Sequence, residues 1–230
     1  MVQIQVMYNI KMEHNMPAAV KLLEQLEFLY EKYSEELRAT TQPYHLRKVS
    51  QNVPNYQYDP EDVLVRETLM EHAGSLPVVA TAFYPYINDP AVDLGRTLTM
   101  LAIHDIGELI TGDEMTFTKN SSAKDPERTA ALSLLHESYH ELYDDVESQT
   151  SKSAKFAKAI DKITPGIVDY LTPADITIQR YKHFVGIGPD EIIALIEAKK
   201  RPYMLWNPFM TEFHKLLLDR LAAKLKAQIN

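Results

Sequence analysis

Three Asp-Pro dipeptides divide the chain into segments with helical periodicity. They occur at Asp59-Pro60, Asp89-Pro90 and Asp125-Pro126. An aspartate side chain can accept hydrogen bonds from the free amides of a first helical turn, and proline fits the first helical position because no donor is needed there. Apolar residues with a period near 3.6 follow each dipeptide. Glycine is scarce, at 7 of 230 residues, and no long stretch alternates apolar and polar residues. We therefore expect an all-α fold.

The same signals set the expected helix boundaries. Thr68 and Glu71 have the spacing of a capping box, so the second helix can restart at Thr68, and Pro77 is expected to kink it. We expect one domain over residues 1–230, with a core at about 60–171 and additional helices at both ends. The predicted helices are about 17–38, 60–84, 91–111, 126–146, 151–171, 189–199 and 207–228.

Composition narrows the classes of function. The chain has no cysteine, which removes disulfides and thiolate metal ligands. A formal net charge of −8 argues against binding to a nucleic-acid polymer or an anionic membrane. No unbroken apolar run is long enough to span a bilayer, and the first residues lack the layout of a secretory signal. We expect a cytoplasmic protein that acts on a small molecule.

The segment from Leu98 to Asp113 carries the strongest chemical signal. The predicted helix has an apolar face, and three polar residues lie on it or next to it, namely His104, Asp105 and Glu108. A partly buried carboxylate without a partner loses solvation worth several kcal/mol. A divalent cation would satisfy the adjacent histidine and aspartate together with a carboxylate one turn later. A hydrogen-bonded core histidine beside two solvated carboxylates is the simpler alternative.

Two further residues strengthen the metal hypothesis. His72 lies upstream on another predicted helix, and Asp161 lies in the amphipathic run 154–163. Taken alone, Asp161 is better explained as a surface residue that pairs with Lys158. Three helices that converge would place two imidazoles and two carboxylates around one ion and leave coordination positions open for water and a phosphate oxygen.

The pattern as a whole resembles the HD-domain metal-dependent phosphohydrolases, whose ligands follow the order His, His-Asp, Asp on a helical fold. It is most similar to the branch of the 5'-deoxynucleotidases and HD-domain-containing protein 2. The motif H-D-x-x-E-x-x-x-G-D is matched from His104 to Asp113, Glu71 precedes His72, and a K-x-x-D helix ends at Asp161. The resemblance covers about residues 62–171.

The resemblance implies a role for each matching residue. His72, His104, Asp105 and Asp161 would hold a divalent ion such as Mn, Co, Mg, Fe or Zn. Glu108 would position or deprotonate the attacking water, and Asp113 would contact the sugar. Lys119 and Arg66 are candidates to offset the phosphate charge. The implied protein is a homodimer that hydrolyses a small phosphorylated substrate, a nucleotide by preference. The branch has an Arg-Trp pair before its first histidine, and the corresponding stretch here, residues 55–58, has neither residue.

Other functions compete with this one. His136 and His140 form a literal H-E-x-x-H, the spacing with which zinc proteases hold their metal on one helix. The same two histidines are candidates for the extra ligands of a di-iron oxygenase built on the HD scaffold. A (p)ppGpp-type hydrolase would have an acid after Glu108, where this chain has Leu109. A non-catalytic scaffold or regulator would keep the metal but would not need Glu108.

Overall fold

The protein is described by a computed structural model that covers residues 18–41, 66–113 and 124–228. Helices dominate these residues, as the sequence predicts, and one small antiparallel ribbon joins them. In chain order the elements are α1 (Ala18–Glu35), β1 (Leu37–Thr41), β2 (Arg66–Thr68), α2 (Leu69–Ile87), α3 (Leu94–Ile103), α4 (Glu108–Thr111), α5 (Lys124–Leu134), α6 (His140–Ser148), α7 (Lys152–Leu171), α8 (Ala174–Val185), α9 (Pro189–Lys200) and α10 (Pro208–Ala227). Short 3₁₀ turns span Glu137–Tyr139 and Arg201–Tyr203.

The start of α2 confirms the capping prediction. Thr68 Oγ1 accepts a hydrogen bond from the Glu71 amide at 3.1 Å, and Glu71 Oε2 accepts one from the Thr68 amide at 2.8 Å. Pro77 lies inside α2 without ending it. Residues 66–68 form strand β2 rather than the helix predicted from residue 60, and residues 60–65 lie outside the described ranges.

The prediction of one helix over residues 91–111 was wrong. The Asp89 side chain accepts from the Ala91 amide in a turn, and the first helical turn is capped instead by Asp93, which accepts from the Arg96 amide at 2.8 Å. Helix α3 ends at Ile103, and residues 104–107 form turns before α4 begins. His104 and Asp105 therefore lie at the break between α3 and α4.

Other helix predictions also needed correction. The helix expected over 17–38 ends at Glu35, and strand β1 follows it. The helix expected over 126–146 begins at Lys124 and is interrupted after Leu134, where a 3₁₀ turn precedes α6. Helix α8 was missed, because Pro173 before it and the apolar residues within it gave no clear period. The helices predicted over 151–171, 189–199 and 207–228 agree with α7, α9 and α10 to within a residue at each end.

The ribbon of β1 and β2 leads the chain into α2. The strands pair antiparallel, with Leu37 opposite Thr68. Alternation along β2 leaves Arg66 and Thr68 partly exposed and buries Glu67 between them. Arg38 on β1 is also buried. Two charged side chains thus enter the interior from this ribbon.

The core surrounds α7, which packs against α2, α3, α6 and α10. Its apolar residues, such as Phe156 and Ile160, are fully buried with Leu76 and Met100. Helix α10 closes this core, as the Phe83 and Phe213 rings lie 4.6 Å apart in an edge-on arrangement. The C-terminal run therefore packs against the core. None of the described helices is both long and apolar enough to cross a bilayer.

Candidate metal centre

His72 is placed by the buried face of α2. Leu69, His72, Leu76 and Ala80 recur at helical spacing, and all four are 0% exposed. An imidazole in this apolar stripe needs a partner for its nitrogens. Neither His72 nitrogen makes a hydrogen bond within the described part of the chain.

His104 and Asp105 lie in the turn that follows α3. The His104 Nδ1 atom is 2.9 Å from the carbonyl oxygen of Leu101. Because a carbonyl only accepts, Nδ1 must donate, and the Nε2 lone pair of the neutral ring is left for another group. That Nε2 is buried and makes no hydrogen bond to a described residue.

Asp161 completes the cluster from α7. It is 2% exposed, which excludes the alternative of a surface residue that pairs with Lys158. Lys158 instead binds Glu147, with 2.7 Å between Nζ and Oε1. The periodicity of α7 turns Asp161 inward with Ala157 and Ile160. Lys162 lies beside it, with Nζ 2.7 Å from Asp161 Oδ2.

The four predicted ligand residues converge on one point. Nε2 of His72 lies 3.4 Å from Asp161 Oδ1 and 3.7 Å from Asp105 Oδ2. Nε2 of His104 lies 3.0 Å from Asp105 Oδ1 and 3.6 Å from Asp161 Oδ1. Ligands held about 2.1 Å from a shared ion are roughly 3–3.5 Å from one another. The spacing therefore fits a single divalent cation.

The chemistry of the donors supports the same conclusion. Two buried imidazole nitrogens without hydrogen bonds would each cost roughly 1–3 kcal/mol, and a cation between them and the two carboxylates removes that cost. Two nitrogens and two carboxylate oxygens suit Mn, Fe, Co or Zn and leave positions open. Among the described residues, no other group of three or more His, Asp or Glu side chains converges in this way.

The electrostatics of the cluster favour positive charge at its centre. Burial, helped by the charge of Arg38, lowers the pKa of His72 to about 4. Burial also opposes charge on His104, but the Asp105 and Asp161 carboxylates outweigh it and raise the pKa of His104 to about 10. Despite burial, His104 and Arg38 hold the pKa of Asp105 well below its usual range. The carboxylates thus stabilise a cation at His104 Nε2, where a proton and a metal ion would compete.

Arg38 belongs to the site although its sequence context indicated no role. Its Nη1 lies 2.8 Å from Asp105 Oδ2, 3.5 Å from Glu108 Oε2 and 3.9 Å from Asp113 Oδ1. Residues 1–55 showed no motif, and a single arginine after a predicted helix carries no periodic signal. Only the pairing of β1 with β2 brings it to the centre. The stretch 55–58, where an arginine was sought, lies outside the described ranges.

Glu108 begins α4, one turn after the His-Asp pair, and is 6% exposed. Burial first, and then the Asp105 and Asp113 carboxylates, raise the pKa of Glu108 well above its usual range. A buried carboxylate with a raised pKa is a stronger base than an exposed one, which suits acid–base chemistry. Asp113 follows on the same side, and its amide donates to Glu36 Oε1 at 3.2 Å.

Of the two basic residues predicted to bind substrate, Arg66 lies within the described residues and Lys119 does not. Arg66 donates from Nε to the Arg38 carbonyl at 2.7 Å and from Nη2 to the Leu37 carbonyl. These bonds help to hold strands β1 and β2 together. A contact between Arg66 and the substrate stays a prediction. Lys119 lies outside the described residues.

The H-E-x-x-H segment does not form the helical metal site that its spacing suggests. His136 is exposed and caps the 3₁₀ turn, where its Nδ1 accepts from the Ser138 amide at 3.3 Å. His140 begins α6, and its Nε2 is 3.2 Å from the Leu135 carbonyl. Because the helix is broken between them, the two rings do not share one helical face.

Comparison with known proteins identifies the family of this chain. The family model of the HD domain matches residues 60–183, which contain all four ligand residues. The chain belongs to the HD domain family. Among curated proteins, no significant sequence match was found.

A solved structure shows the same fold. It is a predicted metal-dependent phosphohydrolase from Magnetospirillum magnetotacticum MS-1, 24% identical, with a TM-score of 0.59. The similarity covers 88% of this HD protein and 96% of the other chain. It therefore extends beyond the matched HD segment to the flanking helices.

Proposed function

We propose that this HD protein is a metal-dependent phosphohydrolase that cleaves the phosphate ester of a small phosphorylated metabolite, with a nucleotide as the favoured class. The observation that carries the proposal is the buried convergence of His72, His104, Asp105 and Asp161. Glu108 and Arg38 flank it within hydrogen-bonding reach of each other. The description of the Magnetospirillum protein is consistent with this activity.

The residues divide the work between them. The four candidate ligands would hold the ion, and His104 is oriented by its bond to the Leu101 carbonyl. When bound, a divalent ion supplies a water of lowered pKa and neutralises charge that develops on the phosphate. Glu108 would take up a proton from water at the site and return it to the leaving oxygen. Arg38 holds Asp105 and Glu108 in place with one guanidinium, whose Nη1 lies 2.8 Å and 3.5 Å from their carboxylates.

The nucleotide preference rests on the resemblance to the 5'-deoxynucleotidase branch. Asp113 Oδ1 lies 3.9 Å from Arg38 Nη1. Asp113 is our candidate for the contact with the sugar of the nucleotide. Arg66 and Lys119 remain candidates for the phosphate. The same resemblance leads us to propose a homodimer in the cytoplasm. Neither a nucleic-acid polymer nor a membrane is part of the proposal.

The test is phosphate release by purified protein that has been stripped of metal and reloaded with Mn, Co, Mg, Fe or Zn singly. Nucleoside mono-, di- and triphosphates form the substrate panel, with ribose and deoxyribose versions of each. We expect monophosphates to be hydrolysed with at least one metal. No release from any member of the panel with any metal would contradict the proposal.

Matched variants separate this activity from that of a contaminant. Glu108→Gln should lower kcat by about 100-fold or more, as expected for loss of a general base. Glu141→Gln changes an exposed glutamate on α6 and should have no effect. Equal activity in both variants would favour the scaffold hypothesis. Casein turnover that is lost on His136→Gln would instead favour the protease.

The oxygenase alternative predicts a different metal content. It requires two irons per chain and extra histidine ligands. His136 and His140 are bound to the Ser138 amide and the Leu135 carbonyl, outside the four-residue cluster. We therefore expect one ion per chain, counted by metal analysis after saturation and gel filtration.

A further inference from the structure

A group of buried polar atoms lies on the far side of His72 from the metal point. It comprises His72 Nδ1, both carboxylate oxygens of Glu67, and Arg38 Nε, none of which makes a hydrogen bond in the described structure. Glu67 Oε2 lies 3.7 Å from His72 Nδ1 and 4.0 Å from Arg38 Nε. Glu67 is 1% exposed, so water offers it little compensation. A buried carboxylate at this position needs donors, and two donors face it.

The two metal-binding histidines differ in how their second nitrogen is held. His104 Nδ1 donates to a backbone carbonyl, which fixes its tautomer. No backbone carbonyl accepts from His72 Nδ1. Metal-binding histidines nearly always donate their second N–H to a carboxylate or carbonyl, because that bond orients the ring and raises its basicity. Glu67 supplies the carboxylate that faces His72 Nδ1, with its Oε2 atom 3.7 Å away.

Local structure explains why Glu67 is present at that place. It is the inward residue of β2, and Thr68 after it caps α2. The capping box fixes the direction in which the chain enters α2. Glu67, just before the Thr68 cap, and His72, four residues after that cap, are therefore held side by side. The arrangement depends on no loop outside the described ranges.

We propose that Glu67 is the positioning residue for His72. In the metal-loaded protein its carboxylate would close the 3.7 Å to His72 Nδ1 and accept that N–H, which leaves the Nε2 lone pair directed at the ion. It would likewise accept from Arg38 Nε, now 4.0 Å away. One carboxylate thereby connects the first metal ligand to the arginine that holds Asp105 and Glu108. The proposal rests on the metal centre of the proposed function but not on the identity of the substrate.

The experiment measures metal affinity rather than turnover. Zn or Mn is titrated against a competing chelator with the wild type, Glu67→Met and Glu67→Gln. Methionine has a similar length but no strong acceptor, and glutamine keeps one acceptor oxygen. Loss of a second-shell partner typically weakens metal binding by about 10–100-fold. We expect that loss for Glu67→Met and partial recovery for Glu67→Gln.

Glu71→Gln is the matched control. It removes the same charge one residue before His72, and glutamine still satisfies a capping box. We expect its metal affinity to stay within about twofold of the wild type. Equal affinity in Glu67→Met and wild type would overturn the proposal, as would an equal loss in the control.

A direct reading of the tautomer keeps the proposal testable if Glu67→Met fails to fold. In Zn-loaded wild type, ¹⁵N NMR of the histidine rings should show His72 coordinated through Nε2 with a slowly exchanging proton on Nδ1. Coordination through Nδ1, or rapid exchange of that proton, would overturn it. A wild type that binds metal but releases no phosphate would contradict the proposed function alone, whereas one that binds no metal would contradict both.

Discussion

Arg38 Nη1 and Asp105 Oδ2 lie 2.8 Å apart, and this ion pair joins the N-terminal ribbon to the metal centre. Both side chains are almost fully buried. Because a buried charge without its partner is costly, neither residue can be replaced by an apolar one without consequence for the other. The pair makes the region before the matched HD segment part of the site.

Arg38→Met should therefore impair both activity and stability. We expect the free energy of unfolding to fall by about 3–5 kcal/mol, the range seen when one partner of a buried pair is removed. Phosphate release should fall by about 100-fold in protein that remains folded at low temperature. Urea unfolding and single-turnover assays measure the two effects.

Arg128→Met is the control for that substitution. Arg128 makes an exposed ion pair with Asp144, with 2.7 Å between Nε and Oδ1. Such pairs contribute about 0–1 kcal/mol, so its activity should be unchanged. If Arg38→Met behaves like Arg128→Met, the ion pair with Asp105 does not support the site.

Asp161→Asn should reduce metal binding strongly while keeping the size of the side chain. We expect a loss of more than about 100-fold in affinity, since an anionic ligand is removed rather than a supporting residue. The measurement is metal content after dialysis against a dilute chelator. Asp144→Asn, an exposed aspartate, should retain the metal of the wild type. Full occupancy in Asp161→Asn would remove Asp161 from the ligand set.

Gly107 lies at the break between α3 and α4, where the chain passes close to α5. A Cβ at this position would be 2.4 Å from the backbone oxygen of Glu127. Gly107→Ala must therefore push the backbone of α5 away, and we expect the protein to lose about 1–3 kcal/mol of stability. Thermal unfolding measures the change, together with metal content because His104 and Asp105 are adjacent.

Gly74→Ala tests whether that loss is specific to Gly107. Gly74 lies in α2, and a Cβ there meets nothing within 4 Å. Alanine is favoured over glycine inside a helix by about 0.5–1 kcal/mol. We expect the melting temperature of Gly74→Ala to rise slightly. A fall equal to that of Gly107→Ala would contradict the explanation that the Gly107 variant is destabilised by its clash with α5.

Lys200 introduces a pH dependence of stability. Burial, with the charge of Lys162, lowers the pKa of Lys200 to about 7 from an ordinary value of 10.5. Between these two pH values the unfolded chain binds more protons at this side chain than the folded protein does. The free energy of unfolding should therefore rise with pH across this window.

Lys200→Met should remove that contribution. We expect a flatter dependence of the urea midpoint on pH between about 7 and 10 than in the wild type. Lys199→Met changes the exposed neighbouring lysine and should keep the wild-type slope. An unchanged slope in Lys200→Met would show that its amine is not desolvated in the folded protein.

Much of the metal centre could be predicted from the sequence because its signals are local or recur in a family. The His104-Asp105 pair, the glutamate one turn later and the capping box at Thr68 depend on spacing along a few residues. The order of the four ligands, compared with the HD pattern, indicated that they belong together. Their distances confirm that they converge.

The tertiary structure decided what spacing cannot encode. Arg38 and Glu67 enter the site through the pairing of two short strands that the helical periodicity did not indicate. Asp161 has the same local pattern as a surface residue, and only the packing of α7 against α2 and α3 buries it. Helix ends follow local capping, but the burial of a charge depends on partners far along the chain. For that reason the sequence indicated the four candidate ligands of this HD protein, and the fold decided which charges lie around them.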